Sequence, residues 1–235
     1  MNKAFIIAKR ELKSYFVSPV AYVIIGLFLI ISGFMYYSIL FSSRVAEVRG
    51  FLMNMCFTFM LMSPILSMRL LSEEKKLGTI EFLYTSPIKV VDIVIGKYLG
   101  ALLLYLVATA FFLQYPLYLV LFAKPDLGPV LTSVLGFILN GCACLAIGLF
   151  ASSLSENQLI SAIVGMITLI LLWIIGWMGD LLPGGVGNFL GSLSLIKPLD
   201  NLSKGVISVN DLFYYAALIF FFLFITVKRL EWKRW

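Results

Sequence analysis

The sequence predicts an all-α polytopic membrane protein: six transmembrane helices, with the N- and C-termini both in the cytoplasm. Three observations carry this. Apolar residues fill 61% of the 235 positions and charged residues 13%, about half the charged share of a soluble domain. The uncharged runs are 16 to 30 residues long and lack strict alternation, so helices rather than barrel strands must satisfy the backbone in lipid. Lys and Arg gather between alternate runs, which fixes orientation.

The chain opens with Lys3, Lys9, Arg10 and Lys13 ahead of a stretch uncharged from Ser14 to Ser43. That stretch is too long for a signal peptide and no small-residue cleavage site follows it, so it reads as a retained first span. Over residues 3–16, Phe5, Ala8, Leu12 and Tyr15/Phe16 recur at helical spacing while the cations lie elsewhere around the helix. Such a helix lies in the inner interface with its apolar stripe in the acyl boundary. A plain positive-inside anchor is the simpler, compatible reading.

Spans are expected at about 19–42, 50–71, 97–122, 129–152, 158–179 and 210–228, in a single membrane domain over 1–235. The last uncharged run, Leu212 to Val227, has 16 residues and covers only ~24 Å as a helix. Lys228 and Arg229 can snorkel to one interface, with Asn210 at the other. Residues 181–205 contain Pro183, Gly184, Gly185, Gly187 and Gly191. That density argues against a seventh span and for an outer re-entrant or interfacial segment.

With the N-terminus inside, thirteen of the eighteen Lys/Arg residues fall on inner segments; Arg44, Arg49, Lys124, Lys197 and Lys204 remain outside. The net charge of +6 thus suits anionic membrane lipids and not nucleic acid. Trp173, Trp177, Trp232 and Trp235 suit interfacial belts. There is no histidine, which removes His-based catalysis, histidine–zinc sites and histidine-ligated haem. Cys56, Cys142 and Cys144 read as packing residues, with no metal site. Asn54, Thr58, Gln114, Asn140 and Thr168 are the polar residues within spans. Packing against other helices is their default role, and Asn54, Thr58 and Asn140 are candidates for lining a substrate path. No charge lies deep in a span, which disfavours an ion-coupled carrier. Pro64 and Pro116 should kink their helices, and Gly136, Gly141 and Gly148 should let the fourth span pack closely.

One interior segment, 72–90, is long and charged. Ser72 can cap a short helix with Glu73 and Glu74 in its first turn, and Gly78 ends it. Thr79 can cap a second helix with Glu81 in its first turn and Ile80, Leu83 and Tyr84 as apolar contacts, before Ser86-Pro87 stops it. Gly96-x-x-x-Gly100 then allows close helix approach as the third span begins. This is more than a connector needs; it offers the cytosol a knob for a soluble partner.

The series Arg69, Ser72-Glu73-Glu74-Lys75-Lys76, Gly78-Thr79, Glu81, Leu83, Pro87 and Gly96-Lys97 closely resembles the coupling segment of ABC-2-type ABC transporter permeases. The likeness covers essentially the whole chain, because the family also implies an amphipathic N-terminal elbow helix, a cytoplasmic coupling helix between spans two and three, and a re-entrant hairpin before span six. Short outer loops and the Ser18 to Tyr22 lead-in look most like the gliding-motility-associated branch.

The resemblance implies a permease subunit in a bacterial inner membrane, paired with a second copy or a paralogue and with a separate cytoplasmic ABC ATPase. ATP and Mg would sit on that ATPase, since this chain has no phosphate-binding Gly-x-x-x-x-Gly-Lys-Ser/Thr loop and needs no cofactor of its own. Ile80, Leu83 and Tyr84 would fill a groove on the ATPase; Glu73, Glu74, Lys75 and Glu81 would set register around Gly78 and Thr79. Export or extrusion of an amphipathic or polymeric substrate is the implied function. The alternative is mechanical: a gliding-type complex moves accessory proteins, one with a large outer domain, and nothing crosses. An intramembrane enzyme lacks residues for its chemistry, since Gly176 to Asp180 resembles an aspartyl motif only superficially and has no second intramembrane Asp. A passive assembly subunit would differ only in lacking an ATPase.

Overall fold

A computed structural model describes residues 3–43, 48–79, 88–123, 125–182 and 184–232. Its helices are α1 (Lys3–Val17), α2 (Pro19–Ser43), α3 (Val48–Ser67), α4 (Arg69–Lys76), α5 (Val90–Phe112), α6 (Gln114–Ala123), α7 (Leu127–Leu154), α8 (Gln158–Leu181), α9 (Gly185–Ser192), α10 (Ile196–Ser203) and α11 (Val209–Trp232). No strand occurs among the described residues.

Six helical stretches are long and apolar enough to cross a membrane: α2, α3 running on into α4, α5 running on into α6, α7, α8 and α11. The 181–205 segment adds no seventh, because α9 and α10 have 8 residues each, well short of the ~20 a crossing needs. Instead the chain doubles back beside α8. Gly179 meets the backbone of Gly187 and Gly191 where any Cβ would clash, and the Leu195 N–H reaches the Leu172 carbonyl at 3.3 Å. That contact lies about 14 Å along α8 from its end. From there α10 climbs back along α7.

Caps and breaks follow local chemistry. Asp126 and Asn157 accept from the Gly128 and Leu159 N–H groups, at 3.1 and 2.9 Å, and so start α7 and α8. Pro116 lacks the N–H that would bond Phe112, and the α5/α6 break falls there, at Leu113. Pro64 lies inside α3, and its carbonyl accepts from the Met68 N–H at 2.8 Å, where α3 turns into α4.

The core is made by the second, third and fourth spans, whose apolar windows are 61%, 56% and 67% buried, against 11%, 28% and 17% for the first, fifth and sixth. Phe59 and Tyr105 lie 4.2 Å apart, and Phe112 and Phe137 4.9 Å, at the centre of a ring cluster that also takes in Phe28 and Phe51. Glycine makes the fit possible along α7. Gly141 lies under the Tyr105 ring, whose hydroxyl donates to the Phe137 carbonyl at 2.7 Å, while Gly148 abuts Ser67 and Gly136 abuts Leu199 and Leu202.

Three expectations are revised. Of the α1 stripe expected in the acyl boundary, Ala8 and Tyr15 are instead buried against the protein together with Ala4, while Phe5 is 56% exposed and stays available to lipid. Gly96 and Gly100 form a groove so close to Ile7 and Glu11 of α1 that a Cβ would sit 2.6 Å from either side chain, and the Ala4 and Ala8 carbonyls line the same contact. Trp173 is buried with its ring 5.4 Å from Phe57, while Trp177 stays exposed. The span threonines and Asn54 mostly bond carbonyls of their own helix: Asn54 to Gly50 (2.8 Å), Thr58 to Asn54 (2.9 Å) and Thr168 to Val164 (2.8 Å). The carbonyl one turn back is always within reach, so it outcompetes a neighbouring helix.

Candidate functional site

The charged chemistry concentrates where α1, α4, α5 and the end of α7 meet. Because α3 carries helical backbone through Met68 into α4, Ser72 sits inside the helix. Its hydroxyl bonds the Met68 carbonyl, so the expected Ser72 cap is not formed and Glu73 and Glu74 fall in the second turn. The capping task passes to α7. Ser152 Oγ accepts from the Leu71 and Ser72 N–H groups at 2.9 and 3.1 Å and donates to the Met68 carbonyl at 2.9 Å, which occupies amides a helix start leaves open. At the other end Gly78, with φ +68°, stops α4, and the Thr79 hydroxyl turns back to the Glu74 carbonyl at 3.3 Å.

Lys97 is the centre of the cluster. Its side chain is 2% exposed, and its ammonium lies 2.6 Å from Glu11 Oε1 of α1 and 2.9 Å from Glu74 Oε1 of α4. Exposed Arg10 approaches the same Glu74 oxygen at 3.9 Å. Beside the cluster lies a cavity of about 140 Å³ lined by Glu11, Ser14, Tyr15, Arg69 and Glu73 among others. The Tyr15 hydroxyl donates to the Leu66 carbonyl at 2.8 Å. Burial first, then the Glu11 carboxylate, push that hydroxyl above its ordinary pKa, although Arg69 pulls the other way.

The C-terminal carbonyls of α7 gather two more cations. Lys75 bonds the Ser153 carbonyl, and Arg229 of α11 donates to Ser153 and Leu154 at 3.1 and 3.5 Å. Both sit where a helix dipole favours positive charge. The short helix α4 is therefore strapped to α1, α5 and α7, and α7 in turn to α11.

Of the residues singled out in the sequence, Glu74 and Lys75 turn inward to these partners and Glu73 faces the cavity. Lys76, Leu77, Gly78 and Thr79 form the exposed tip. Ile80, Glu81, Leu83 and Tyr84 lie outside the described residues. The candidate path residues are not brought together. Asn54 is exposed on α3 with Thr58 one turn on, whereas Asn140 is fully buried in α7, its amide 3.5 Å from the Cys56 carbonyl. Sequence reasoning missed Glu11, Ser152 and Arg229 as partners of this junction. Glu11 carried a faint signal, as the only acid before Glu47.

At the opposite end Arg49 of α3 meets α10. Its guanidinium bonds Asp200 Oδ1 at 2.7 Å and Ser203 Oγ at 3.0 Å, and Lys204 holds the other Asp200 oxygen. Partial burial opposes ionisation of Asp200, but the hydrogen bonds and charges of Lys204 and Arg49 outweigh it and hold the carboxyl below its ordinary pKa. Among the described residues no cluster of three or more His, Cys, Asp or Glu is arranged to hold a metal.

Six apolar spans, three of them packed into a core, with a charged helical junction at one end, define a multi-pass membrane protein whose working parts are rigid helices. The family model described as ABC-2 type transporter matches residues 2–179, from α1 through most of α8, and the chain belongs to that family. Such a domain is the permease component of an ABC transporter, distinct from the ATPase, and works with a cytoplasmic ABC ATPase. No curated protein sequence matches the chain.

Proposed function

We propose that this chain is the permease subunit of an ATP-driven ABC-2-type transporter of a bacterial inner membrane, with the α4 end in the cytosol, moving an amphipathic or polymeric substrate outward. One observation carries the coupling mechanism: Lys97, buried between Glu11 and Glu74, locks α4 to α1 and α5. An ATPase seated on the exposed tip and on Ile80, Glu81, Leu83 and Tyr84 pushes on α4. The push cannot dissipate in a loop, because Glu74–Lys97, Lys75–Ser153 and Ser152 transfer it to the helices of the third and fourth spans. Closure of the ATPase pair thus rocks rigid elements. A second copy or a paralogue completes the membrane assembly.

A mechanical variant, in which a gliding-type complex drives an accessory protein and nothing crosses, draws support from the short connections opposite α4, such as 124–126 between α6 and α7. They leave little of this chain beyond the bilayer there, so force would need a partner with an outer domain.

The test is affinity purification of the tagged chain in mild detergent. An ABC ATPase is expected to co-elute and to be lost from the Ile80→Asp/Leu83→Asp double variant. Lys97→Met is expected to retain the ATPase while its nucleotide turnover no longer responds to the membrane step. No ATPase with the unaltered chain, or full coupling in Lys97→Met, would reject this reading. An added partner with a large outer domain would favour the mechanical variant.

A further inference from the structure

At the end opposite α4, a cavity of about 620 Å³ opens between α9, α10 and the first turns of α11, within the size range of small-molecule sites. Its chemistry is graded. Asn201 and Asp211 line its mouth, Lys197 rises from the deep start of α10 to bring its ammonium to Gly191 beside Gly179, and Phe213 and Ala217 line it further along α11. From Asp211 to Ala217 the helix descends about 9 Å, roughly the depth from a lipid headgroup to the first acyl carbons. Phe213 and Ala217 are exposed on the face of α11 that looks out of the protein. The cavity is therefore polar at its mouth, apolar at its foot and open towards lipid.

Both charge signs are built in. Asp211 is 8% exposed, and its Oδ2 accepts from Asn201 Nδ2 at 3.1 Å. Lys197, which also interacts within the protein, lays its ammonium against Gly191. A Cβ at that glycine would stand 2.1 Å from Nζ, so no side chain fits there without displacing the ammonium. An anionic headgroup such as glycerol phosphate would meet a like charge at Asp211. A choline headgroup would bring a quaternary cation with no N–H to donate. A phosphate joined to a primary ammonium satisfies both ends.

We propose that this cavity binds the headgroup of an ethanolamine phospholipid from the adjacent leaflet, with the ammonium donating to Asp211, the phosphate towards Lys197, and the acyl chains passing Phe213 and Ala217. The site is separate from the ATPase junction and is occupied without nucleotide.

The purified, delipidated full chain would be given equal amounts of ethanolamine, choline and glycerol phospholipids with matched acyl chains, and retained lipid counted by native mass spectrometry. The ethanolamine lipid is expected to be retained about tenfold over the other two, the worth of one hydrogen bond to a charged group. Asp211→Asn is expected to lose the preference over choline, and Ala217→Trp, which fills the lipid-facing foot without touching a charge, to lower retention of the ethanolamine lipid. Equal retention of all three lipids overturns the proposal, as does unchanged preference in both variants. Displacement by an equal concentration of soluble phosphoethanolamine would assign the site to a free phosphate ligand and overturn the lipid. Since no ATPase is present in the measurement, its failure would leave the coupling reading untouched.

Discussion

A buried ammonium in an apolar domain is costly unless carboxylates surround it. Lys97 has two, drawn from helices far apart in sequence, and this is why it works as a joint rather than as a surface charge. Asp200 is the milder counterpart at the other end, about a third exposed, and is worth correspondingly less. Its folded pKa is depressed, so the Arg49–Asp200–Lys204 link stabilises the fold fully above the ordinary value of 3.8 and is lost as pH falls through the lower folded value. Asp200→Asn should therefore cost about 0.5 kcal/mol near neutrality. The gap in thermal midpoint between the two proteins should close on acidification below that ordinary value. A gap that persists in acid would mean that the carboxylate charge is not what the link uses.

At the scale of elements, the contact of α1 with α5 decides whether the N-terminal helix merely floats in the interface or forms part of the machine. Gly96 and Gly100 bring the two so close that Ala4, Ala8 and Glu11 face them directly. Gly96→Leu would drive a side chain into Ile7 and the Ala4 carbonyl, an overpacking worth about 1–3 kcal/mol. The expected outcome is that α1 lifts away. Spin labels at exposed Lys9 and Leu103 should then report a longer, broader distance than in the otherwise unaltered chain; an unchanged distance would show that α1 docks by other means. The glycine spacing was legible in the sequence as a close-approach signal, but its partner was not. A small-residue stripe says that a helix comes near, and nothing in it says which helix.

For the whole molecule, an even number of spans puts both ends on one side, and we propose from the Lys/Arg bias that this side is the cytosol. Leu77, at the exposed tip beyond α4, and Val206, beyond α10, lie at opposite ends. In a background with Cys56, Cys142 and Cys144 replaced, an impermeant maleimide added to intact spheroplasts should label Val206→Cys and spare Leu77→Cys. The reverse pattern would invert the molecule and move the proposed ATPase site outside.

The sequence by itself determined the number and approximate place of the crossings, because lipid demands about twenty uncharged residues per helix and these runs have little else to become. It also determined the stop at Gly78 and the tight packing along α7, since backbone freedom and the lack of a Cβ are properties of the residue alone. Only the tertiary structure decided which spans form the interior. In water an apolar face marks the core, but in a membrane the lipid-facing side is equally apolar, so pattern no longer separates inside from outside. For the same reason the partners of Lys97 were not legible, Ser72 looked like a cap, and Asn54, Thr58 and Asn140 were candidates for one path. Each depended on which helix stood alongside: Glu11 and Glu74 flank Lys97, Ser152 takes over the cap, and Asn140 lies buried in the core away from the exposed Asn54.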